Sequence, residues 1–198
     1  MKTITIKLYQ FNELSDKAKE RAREWWRSCD DEFPWQSEFE NTVKTIENSF
    51  DVEFDNIGPY EYTPFWYDKN DYREADKMPF ARAVAYINNN FDFKILKSVK
   101  DYSGKIRRVG CALAKNRYTD NLLTGYCSDY VTHESYKKFI EYGRKHKNTK
   151  LSDFFDILAR GLRDEIESEY DYMQTDEYID DILSNNDYYF KVDGEFYK

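Results

Sequence analysis

Glycine is scarce in this sequence, and its scarcity argues against one large class of enzyme. The chain has 7 glycines among 198 residues, and no two of them lie close together. A loop that cradles phosphate needs several glycines within a few residues, because backbone N–H groups must approach the phosphate closely. We therefore expect no nucleotide-hydrolysing activity based on such a loop.

Histidine and cysteine are also too few and too scattered for most catalytic or metal sites. The chain has 2 histidines and 3 cysteines. An odd, widely spaced set of cysteines provides neither a disulfide framework nor a paired metal site. Cys127 and His133 could be imagined as a thiol and base pair, but the sequence supplies no third group to orient them. We expect no catalytic residues, no metal and no cofactor.

Long apolar runs are missing as well. No window approaches the roughly 18 apolar residues of a membrane span. The first residues, Met1 to Tyr9, alternate between polar and apolar types, unlike a signal peptide, which has a continuous apolar run. Free cysteines fit a reducing compartment. The expected location is the cytoplasm, with no membrane partner.

Basic residues are rare in the last quarter of the chain. Residues 151–198 hold 14 acidic and 4 basic residues, a net of −10, whereas residues 1–150 hold 24 acidic and 26 basic residues, a net of +2. The formal net charge of −8 therefore belongs to the C-terminal segment. Tyrosines are interleaved with these acids, so the segment suits a basic partner or imitates a polyanion.

Aromatic rings, by contrast, are abundant. The chain has 18 Tyr, 14 Phe and 4 Trp, and its length is sufficient to bury one substantial core. Rings should fill that core in place of Leu and Val. We expect a single α+β domain over residues 1–198, with a subdivision into residues 1–130 and 131–198 as the alternative.

Apolar spacing predicts the elements of the first half. Alternation of Ile4, Ile6 and Leu8 predicts a strand. Ser15 is the expected N-cap of an amphipathic helix, with Ala18, Ala22, Trp25, Trp26 and Cys29 inward and Lys17, Lys19, Arg21, Arg23 and Arg27 mostly outward. A second helix starts near Pro34, with Trp35, Phe39, Val43, Ile46 and Phe50 on one face. A strand over residues 51–57 follows, with Val52, Phe54 and Ile57 as its apolar members.

The middle of the chain combines a long aromatic segment with basic strands. Residues 58–79 lack a period and are expected to form an aromatic loop. A short helix should begin at Pro79, with Ala81, Val84, Ala85 and Ile87 as its apolar positions, and stop at Asn88–Asn90. Residues 91–117 should form antiparallel strands around a Ser103-Gly104 turn, with Ile95, Val99, Ile106, Val109 and Leu113 in the core. Their basic residues are Lys94, Lys97, Lys100, Lys105, Arg107, Arg108, Lys115 and Arg117.

The last third should be mainly helical, with a terminal hairpin. Thr132, Ser152 and Thr175 are the expected caps of three helices. The second of these should bury Phe155, Leu158, Ala159, Leu162, Ile166, Tyr170 and Met173. Asp193-Gly194 favours a tight turn in a hairpin over Tyr189–Tyr197. The sequence thus predicts an antiparallel or mixed sheet packed with amphipathic helices.

The acidic C-terminal helices are the first candidate site. One helix of roughly 30 Å with seven carboxylates is sparser than the phosphates of duplex DNA, which recur every ~1.7 Å of axis. The density becomes comparable only when the following segment shares the same face. The expected partner-binding residues are Asp164, Glu165, Glu167, Glu169, Tyr170, Asp171, Tyr172, Asp176, Asp180 and Asp181, with Trp66 of the aromatic loop. The alternative is a solvated acidic face.

The basic strands are the second candidate. Their lysines and arginines could follow a nucleic-acid backbone, but the negative net charge opposes this, so we expect no direct nucleic-acid binding. These strands could instead receive the acidic tail of a second copy, which would make a homo-oligomer. Aromatic residues in loop 58–79 offer a further contact surface, or else they cover the core.

Three stretches together resemble a known family. They are residues 11–27 (FNELSDKAKERAREWWR), residues 123–130 (LTGYCSDY) and residues 186–194 (NDYYFKVDG). This combination is similar to a family of small acidic proteins from bacteriophages, prophages and plasmids, which are sometimes labelled antitoxin-like. The resemblance touches both ends and the middle of the chain, and it brings no catalytic residues with it.

The resemblance implies a setting in mobile elements, whose accessory genes often encode inhibitors of host defence. We therefore expect a non-enzymatic anti-defence inhibitor of the anti-CRISPR or anti-restriction type. Its partner would be a host defence protein, a nucleic-acid-binding effector with a basic groove, in the cytoplasm of the host bacterium. One alternative is an antitoxin that neutralises a toxin by protein contact. The other is an enzyme acting on nucleic acid or nucleotides.

Overall fold

The chain folds as an α+β protein in which helices predominate, as the sequence predicts. The computed structural model describes residues 6–29, 36–60, 62–69, 74–95, 99–100, 106–107, 110–114 and 128–197. Its helices are α1 (Asp16–Arg27), α2 (Gln36–Phe50), α3 (Glu74–Lys77), α4 (Phe80–Asn90), α5 (Ser128–Lys145), α6 (Leu151–Met173) and α7 (Asp176–Asn185). Its strands are β1 (Val52–Asp55), β2 (Phe65–Asp68), β3 (Phe91–Ile95), β4 (Val99–Lys100), β5 (Ile106–Arg107) and β6 (Gly110–Ala114). They pair antiparallel as β1 with β2, β3 with β6, and β4 with β5.

The chain divides into two compact units. The terminal unit comprises Met1–Pro34 and Ser168–Lys198, and the central unit comprises Trp35–Glu167. The division thus falls after residues 34 and 167, whereas the alternative drawn from the sequence placed it after residue 130. That the whole chain unfolds as one domain stays a prediction.

The terminal unit is built around α1. The side chain of Ser15 accepts a hydrogen bond from the backbone N–H of Ala18 at 3.4 Å, which confirms the predicted cap. Ala18 and Ala22 are fully covered, and Trp25 is half-buried against the same core. The buried residues of this core are Phe11, Leu14, Ala18, Ala22, Ile179, Leu183 and Phe190. The predicted inner stripe of α1 is therefore correct for its alanines.

The C-terminal turn closes on α1. Lys191 donates from its backbone N–H to the carbonyl of Glu195 at 2.8 Å, and Gly194 donates to the carbonyl of Lys191 at 2.9 Å. Gly194 has a φ of 85°, and a Cβ there would lie 2.0 Å from the carbonyl oxygen of Ala18. The predicted turn is present, but isolated bridges take the place of extended strands in the predicted hairpin. Phe190 forms one such bridge with Phe196 and another with Tyr9.

The predicted N-terminal strand is wrong for the residues that can be judged. Ile4 lies outside the described residues, and residues 6–8 form no strand. Tyr9 alone pairs with Phe190, with backbone bonds of 2.9 Å in both directions. Ile6 is 49% exposed and so takes no part in a buried face. Alternation of apolar residues does not produce a strand when the neighbouring segment, here around Phe190, offers a single residue for backbone pairing.

The central unit begins with α2 and β1, as expected. Phe39, Ile46 and Phe50 are buried on α2, and Val52 and Phe54 are buried on β1. Pro34 and Trp35 lie outside the described residues. The expectation of an unstructured loop over residues 58–79 is wrong in part, because β2 pairs with β1 and α3 follows it.

Helix α4 includes Asn88 and Asn89 and ends at Asn90, the last of the three asparagines that were expected to stop it. Ala83 and Ile87 are buried, whereas Ala81 and Ala85 are exposed, so the predicted inner face is rotated. The weak helix propensity of asparagine is overridden by the packing of neighbouring residues. Backbone pairing confirms the hairpins within residues 91–114. The Ser103-Gly104 turn lies outside the described residues. The side chains of the basic residues in this stretch are likewise not described.

Three helix starts can be compared with the predicted caps. α5 begins by Ser128, so Thr132 is a buried interior residue and not a cap. α6 begins at Leu151, and the backbone N–H of Lys150 donates to the carboxylate of Asp153 at 2.7 Å, so Ser152 lies in the first turn. Thr175 caps α7 as predicted.

Rings fill the core of the central unit. Phe50 meets Phe154 at 5.5 Å and Phe155 at 5.3 Å between ring centroids, and Phe139 meets Phe154 at 5.6 Å. Leu158, Ala159, Leu162 and Ile166 continue this face of α6 and are buried. The predicted inner face of α6 is therefore correct for these residues, whereas Tyr170, which was also placed on it, is half-buried.

Candidate partner-binding surface

Two arginines of α1 face the acidic helix α7. Arg23 donates from Nε and Nη2 to the two carboxylate oxygens of Asp180, at 2.6 and 2.7 Å. Arg27 pairs with Asp176 and donates from Nε to the carbonyl of Gln174 at 3.2 Å. The expectation that Arg23 and Arg27 point outward is therefore wrong, because these side chains reach across to carboxylates that are distant in sequence.

The pairing of Arg23 is partly shielded from water. Its side chain is only 17% exposed, and a two-pronged contact between guanidinium and carboxylate is among the stronger charge-assisted hydrogen bonds. The hydrogen bond to Asp180 raises the pKa of Arg23 above its ordinary value, although burial acts in the opposite direction. Two of the expected partner-binding residues, Asp176 and Asp180, thus already bind arginines of the same chain.

A groove of about 550 Å³ runs beside α7 within the terminal unit. We name it the α7 groove. Its side chains from the end of α6 and from α7 are Tyr172, Glu177, Tyr178, Asp180, Asp181, Ser184 and Asn185, and Phe11, Asn12 and Lys19 complete the lining. Tyr172, Asp180 and Asp181 are expected site residues that the fold brings together here. Glu177 and Tyr178 were not among the expected site residues, although Glu177 lies three and four residues before Asp180 and Asp181, and Tyr178 lies three before Asp181, which was a usable signal.

Two tyrosines join Phe11 in the aromatic part of the α7 groove. The rings of Tyr172 and Tyr178 meet edge to face, with centroids 5.4 Å apart and planes at 69°. Tyr172 is 49% exposed. Burial raises the pKa of the Tyr178 phenol, and the charges of nearby Asp181 and Glu169 raise it further. The groove therefore joins exposed aromatic surface to a negative local field.

The charge imbalance of the chain is concentrated in the terminal unit. Its two segments hold 16 acidic and 9 basic residues, a net of −7. The central unit holds 22 acidic and 21 basic residues, a net of −1. The acidic character noted in the sequence thus persists in the terminal unit even when the basic helix α1 is counted with it.

The acids of α6 are interrupted by arginine. Asp164 accepts from Arg163 at 2.7 Å, and Glu167 lies 3.9 Å from the same guanidinium. Glu165, Glu169 and Tyr170 are half-buried, and Asp171 is exposed. Asp164, Glu167, Asp176 and Asp180 thus each lie within 4 Å of an arginine. Because these carboxylates are paired with arginines, they do not provide the evenly spaced row of negative charges that imitation of DNA phosphates requires.

Trp66 is a packed residue of the central unit. Its indole Nε1 donates to Asp156 at 2.9 Å, and its ring lies 4.7 Å from that of Phe155. Exposed rings of this region include Phe65 and Tyr67, which lie on either side of it in β2, and the more N-terminal Tyr60 and Tyr62, the latter 93% exposed. Alternation along β2 decides which rings face solvent, and reading the segment as a loop concealed that pattern.

Of Cys127 and His133, which the sequence offered as a thiol and base pair, the structure describes only His133. His133 is buried in α5, with its Nδ1 3.5 Å from a carboxylate oxygen of Glu134. Cys127 lies outside the described residues. Within the described ranges, no cluster of three or more His, Cys, Asp or Glu is arranged to hold a metal ion.

None of the helices in the part of the chain that is described has the length and apolarity needed to cross a membrane. Compared with protein-family models, curated proteins and solved structures, the chain shows no significant match.

Proposed function

We propose that this protein is a non-enzymatic anti-defence inhibitor from a phage or other mobile element, and that it blocks a nucleic-acid-processing effector of the host. The α7 groove is its contact surface. The observation that carries the proposal is the Tyr172–Tyr178 pair beside Glu177 and Asp181, in a unit whose net charge is −7.

Such a groove suits a lysine or arginine from the nucleic-acid channel of the partner. The aliphatic stem of that residue would pack on the exposed ring of Tyr172, and its cationic head would lie near Asp181 and Glu177. Cation–π attraction adds about 0.5 to 2 kcal/mol per contact, depending on how far it is desolvated. Tyrosines are frequent energetic centres of protein interfaces, and the surrounding negative charge speeds encounter with a basic surface.

Local docking fits the structure better than imitation of a whole duplex. Asp176 and Asp180 are held by Arg27 and Arg23, so their charge is largely balanced within the terminal unit. Among the acids that line the groove, Glu177 and Asp181 form no ion pair with an arginine within the described ranges, and Asp181 accepts a hydrogen bond from the side-chain amide of Asn185 at 2.7 Å. The inhibitor would thus occupy a few key basic residues of the effector and exclude nucleic acid sterically.

A matched pair of charge reversals tests the proposal. Asp181→Lys lies in the α7 groove, whereas Asp187→Lys lies outside it, and both change the net charge by the same amount. We expect Asp181→Lys to weaken binding to the effector at least roughly tenfold and to restore defence in a phage-plating assay. Asp187→Lys should act like the wild type. Equal effects of the two variants would show that only overall charge matters and would overturn the α7 groove as the site.

Identification of the partner comes from co-purification with lysate of a host that carries the defence system. An electrostatic contact weakens with ionic strength, because the Debye length falls from about 10 Å at 0.1 M to about 3 Å at 1 M salt. The captured protein should therefore elute with salt, and Tyr172→Ala should reduce its capture. A toxin encoded beside this gene, neutralised in an Asp181-dependent way, would instead establish the antitoxin alternative.

A further inference from the structure

The end of α5 and the turn after it carry a local excess of positive charge. Residues 137–150 hold 6 basic residues and 1 acidic residue, a net of +5 with histidine neutral, in a chain whose net charge is −8. We name as the α5 patch six exposed residues of this stretch, which are Lys138, Tyr142, Arg144, Lys145, Lys147 and Lys150. All of them belong to the central unit.

The cations of the α5 patch have no carboxylate partner. Lys137 is paired with Glu134 at 2.6 Å, whereas the five cations of the patch form no ion pair with any residue in the described ranges. Glu141, the acid of this stretch, is exposed and is also unpaired within those ranges. The positive charge of the patch is therefore not balanced locally, and it can act on an external anion.

Helix electrostatics accounts for two of these cations. Arg144 and Lys145 lie in the last turn of α5, where the negative end of the helix dipole favours positive charge. Lys147 and Lys150 come after that turn and just before Leu151, the first residue of α6, whose positive end disfavours cations. The stability of the two helix ends thus does not explain the whole cluster.

The backbone that carries Lys147 and Lys150 is held in place. Thr149 is 3% exposed, and it donates to the carbonyl of His146 from its N–H at 3.3 Å and from its hydroxyl at 2.7 Å. The N–H of Leu151 donates to the carbonyl of Met78 at 3.0 Å. An ordered turn therefore keeps these two lysines beside the end of α5.

An exposed ring lies among the cations. Lys138 comes four residues before Tyr142 and Lys145 three residues after it, so the three side chains share one face of α5. The two lysines are separated by about 10 Å along the helix axis. Tyr142 is 40% exposed, and its ring lies against the imidazole of His146 with centroids 4.2 Å apart and planes at 30°. Sites for single-stranded nucleic acid combine such elements, because cations follow the backbone and bases stack on rings.

We propose that the α5 patch binds single-stranded nucleic acid, with a base stacked on Tyr142 and phosphates beside the surrounding cations. An acidic peptide would match the cations but leave the ring unused. The bases of a duplex are already stacked on one another and would also leave it unused. This site goes beyond the proposed function and does not rest on it.

The negative net charge of the chain is the reason why the sequence argued against direct nucleic-acid binding. Most of that charge belongs to the terminal unit, whose net is −7, whereas the central unit has a net of −1. The Debye length is about 8 Å at physiological ionic strength. A phosphate at the α5 patch therefore responds mainly to the cations next to it.

Fluorescence anisotropy of a labelled oligothymidylate of about 12 nucleotides tests this on the full chain. Binding should weaken with salt, with a slope of log K against log salt concentration of about −3, as expected for about four phosphate contacts to a single strand. A duplex of the same length and a polyglutamate peptide of the same charge should bind more weakly. Equal or tighter binding of either one would overturn the single-strand assignment, as would no binding of oligothymidylate at about 50 mM salt.

Charge variants test the cations of the patch. Lys145→Gln should weaken oligothymidylate binding and reduce the magnitude of the salt slope by about 0.7. Lys44→Gln removes the same charge from an exposed lysine of α2 outside the patch, and it should change neither quantity. Glu141→Gln should tighten binding, because it removes a repulsive charge. Equal effects of Lys145→Gln and Lys44→Gln would contradict the site.

Ring variants test the stacking. Tyr142→Ala should weaken binding about tenfold while leaving the salt slope unchanged, and Tyr142→Phe should bind like the wild type. Circular dichroism should show all variants folded. An unchanged affinity in Tyr142→Ala would overturn the stacked base.

A comparison of oligouridylate with oligothymidylate distinguishes RNA from DNA as the source of the single strand. Tighter binding of the first assigns RNA, and the reverse order assigns DNA. Either order supports the α5 patch, and binding of neither overturns it. No residue of the α7 groove enters these tests, so their failure would leave the proposed function standing.

Discussion

Arg23 and Asp180, separated by 157 positions, form a two-pronged ion pair between α1 and α7. The guanidinium also lies 2.9 Å from Glu20 and 3.5 Å from Asp176. One cation thus gathers carboxylates from both segments of the terminal unit. The acidic surface available to a partner is what remains after this pairing.

The ion pair should matter for stability. Asp180→Asn should lower the free energy of unfolding by about 1 to 2 kcal/mol, because a largely buried cation loses its principal charged partner. Urea denaturation measures the change. The control is Asp187→Asn, an exposed acid of the same unit, which should stay within about 0.5 kcal/mol of wild type. Similar losses in both variants would contradict a specific role for Asp180.

Gly194 should tolerate no side chain. Gly194→Ala should lower the free energy of unfolding by about 2 to 4 kcal/mol, because a Cβ is strained at this φ and also collides with the carbonyl of Ala18. Thermal or urea unfolding, followed by tryptophan fluorescence, reports the loss. Val192→Ala alters an exposed residue of the same turn and should have little effect. A stable Gly194→Ala protein would show that the turn moves away from α1.

The phenol of Tyr67 should lose its proton at a higher pH than an ordinary tyrosine. Its hydrogen bond to Glu53 raises the pKa of the phenol to about 12, from an ordinary value of 10.0. The folded state therefore favours the protonated phenol, and the associated stabilisation is complete below pH 10 and lost as the pH rises through about 12. Subtracting the ultraviolet titration of Tyr67→Phe from that of wild type isolates this group. Glu53→Gln should move its titration toward pH 10, and Asp76→Asn should leave it unchanged.

Asp51 should prove unfavourable for folding. Asp51→Gly should raise the free energy of unfolding by about 0.5 to 1 kcal/mol, because glycine accepts the left-handed conformation at the end of α2 without steric strain. The same change at Asp55, inside β1, should lower stability, since glycine weakens a strand. Urea denaturation of both variants makes the comparison. Destabilisation by Asp51→Gly would show that the interactions of the Asp51 side chain outweigh the strain of its backbone.

Local signals in the sequence were sufficient for several elements. Ser15 and Thr175 were identified as caps because the hydrogen bond of a cap spans only three residues. The buried faces of α2 and α6 follow from spacings of three and four. Thr132 misled because a hydroxyl that suits a cap also fits the interior of a helix, where it bonds to the preceding turn.

Long-range contacts could not be obtained in this way. Nothing in residues 16–27 indicates that Arg23 contacts Asp180. Periodicity shows which face of its own helix a residue occupies, but it does not show which distant residue packs against that face. Trp66 was expected to be an exposed partner-binding residue because the pairing of β2 with β1 was not recognised in the sequence. Once Phe65 and Tyr67 are placed on the exposed face of that strand, alternation turns Trp66 toward the helices.

The two segments of the terminal unit impose an order on folding. The central unit is continuous in the chain, so all the residues that form its contacts are present once residue 167 has been synthesised. Helix α1 is made first, yet Ala18, Ala22 and Trp25 meet Ile179 and Phe190 only at the end of synthesis. Until then, the earliest helix leaves its apolar face uncovered, and this interval is when the nascent chain is most open to chaperones and proteases.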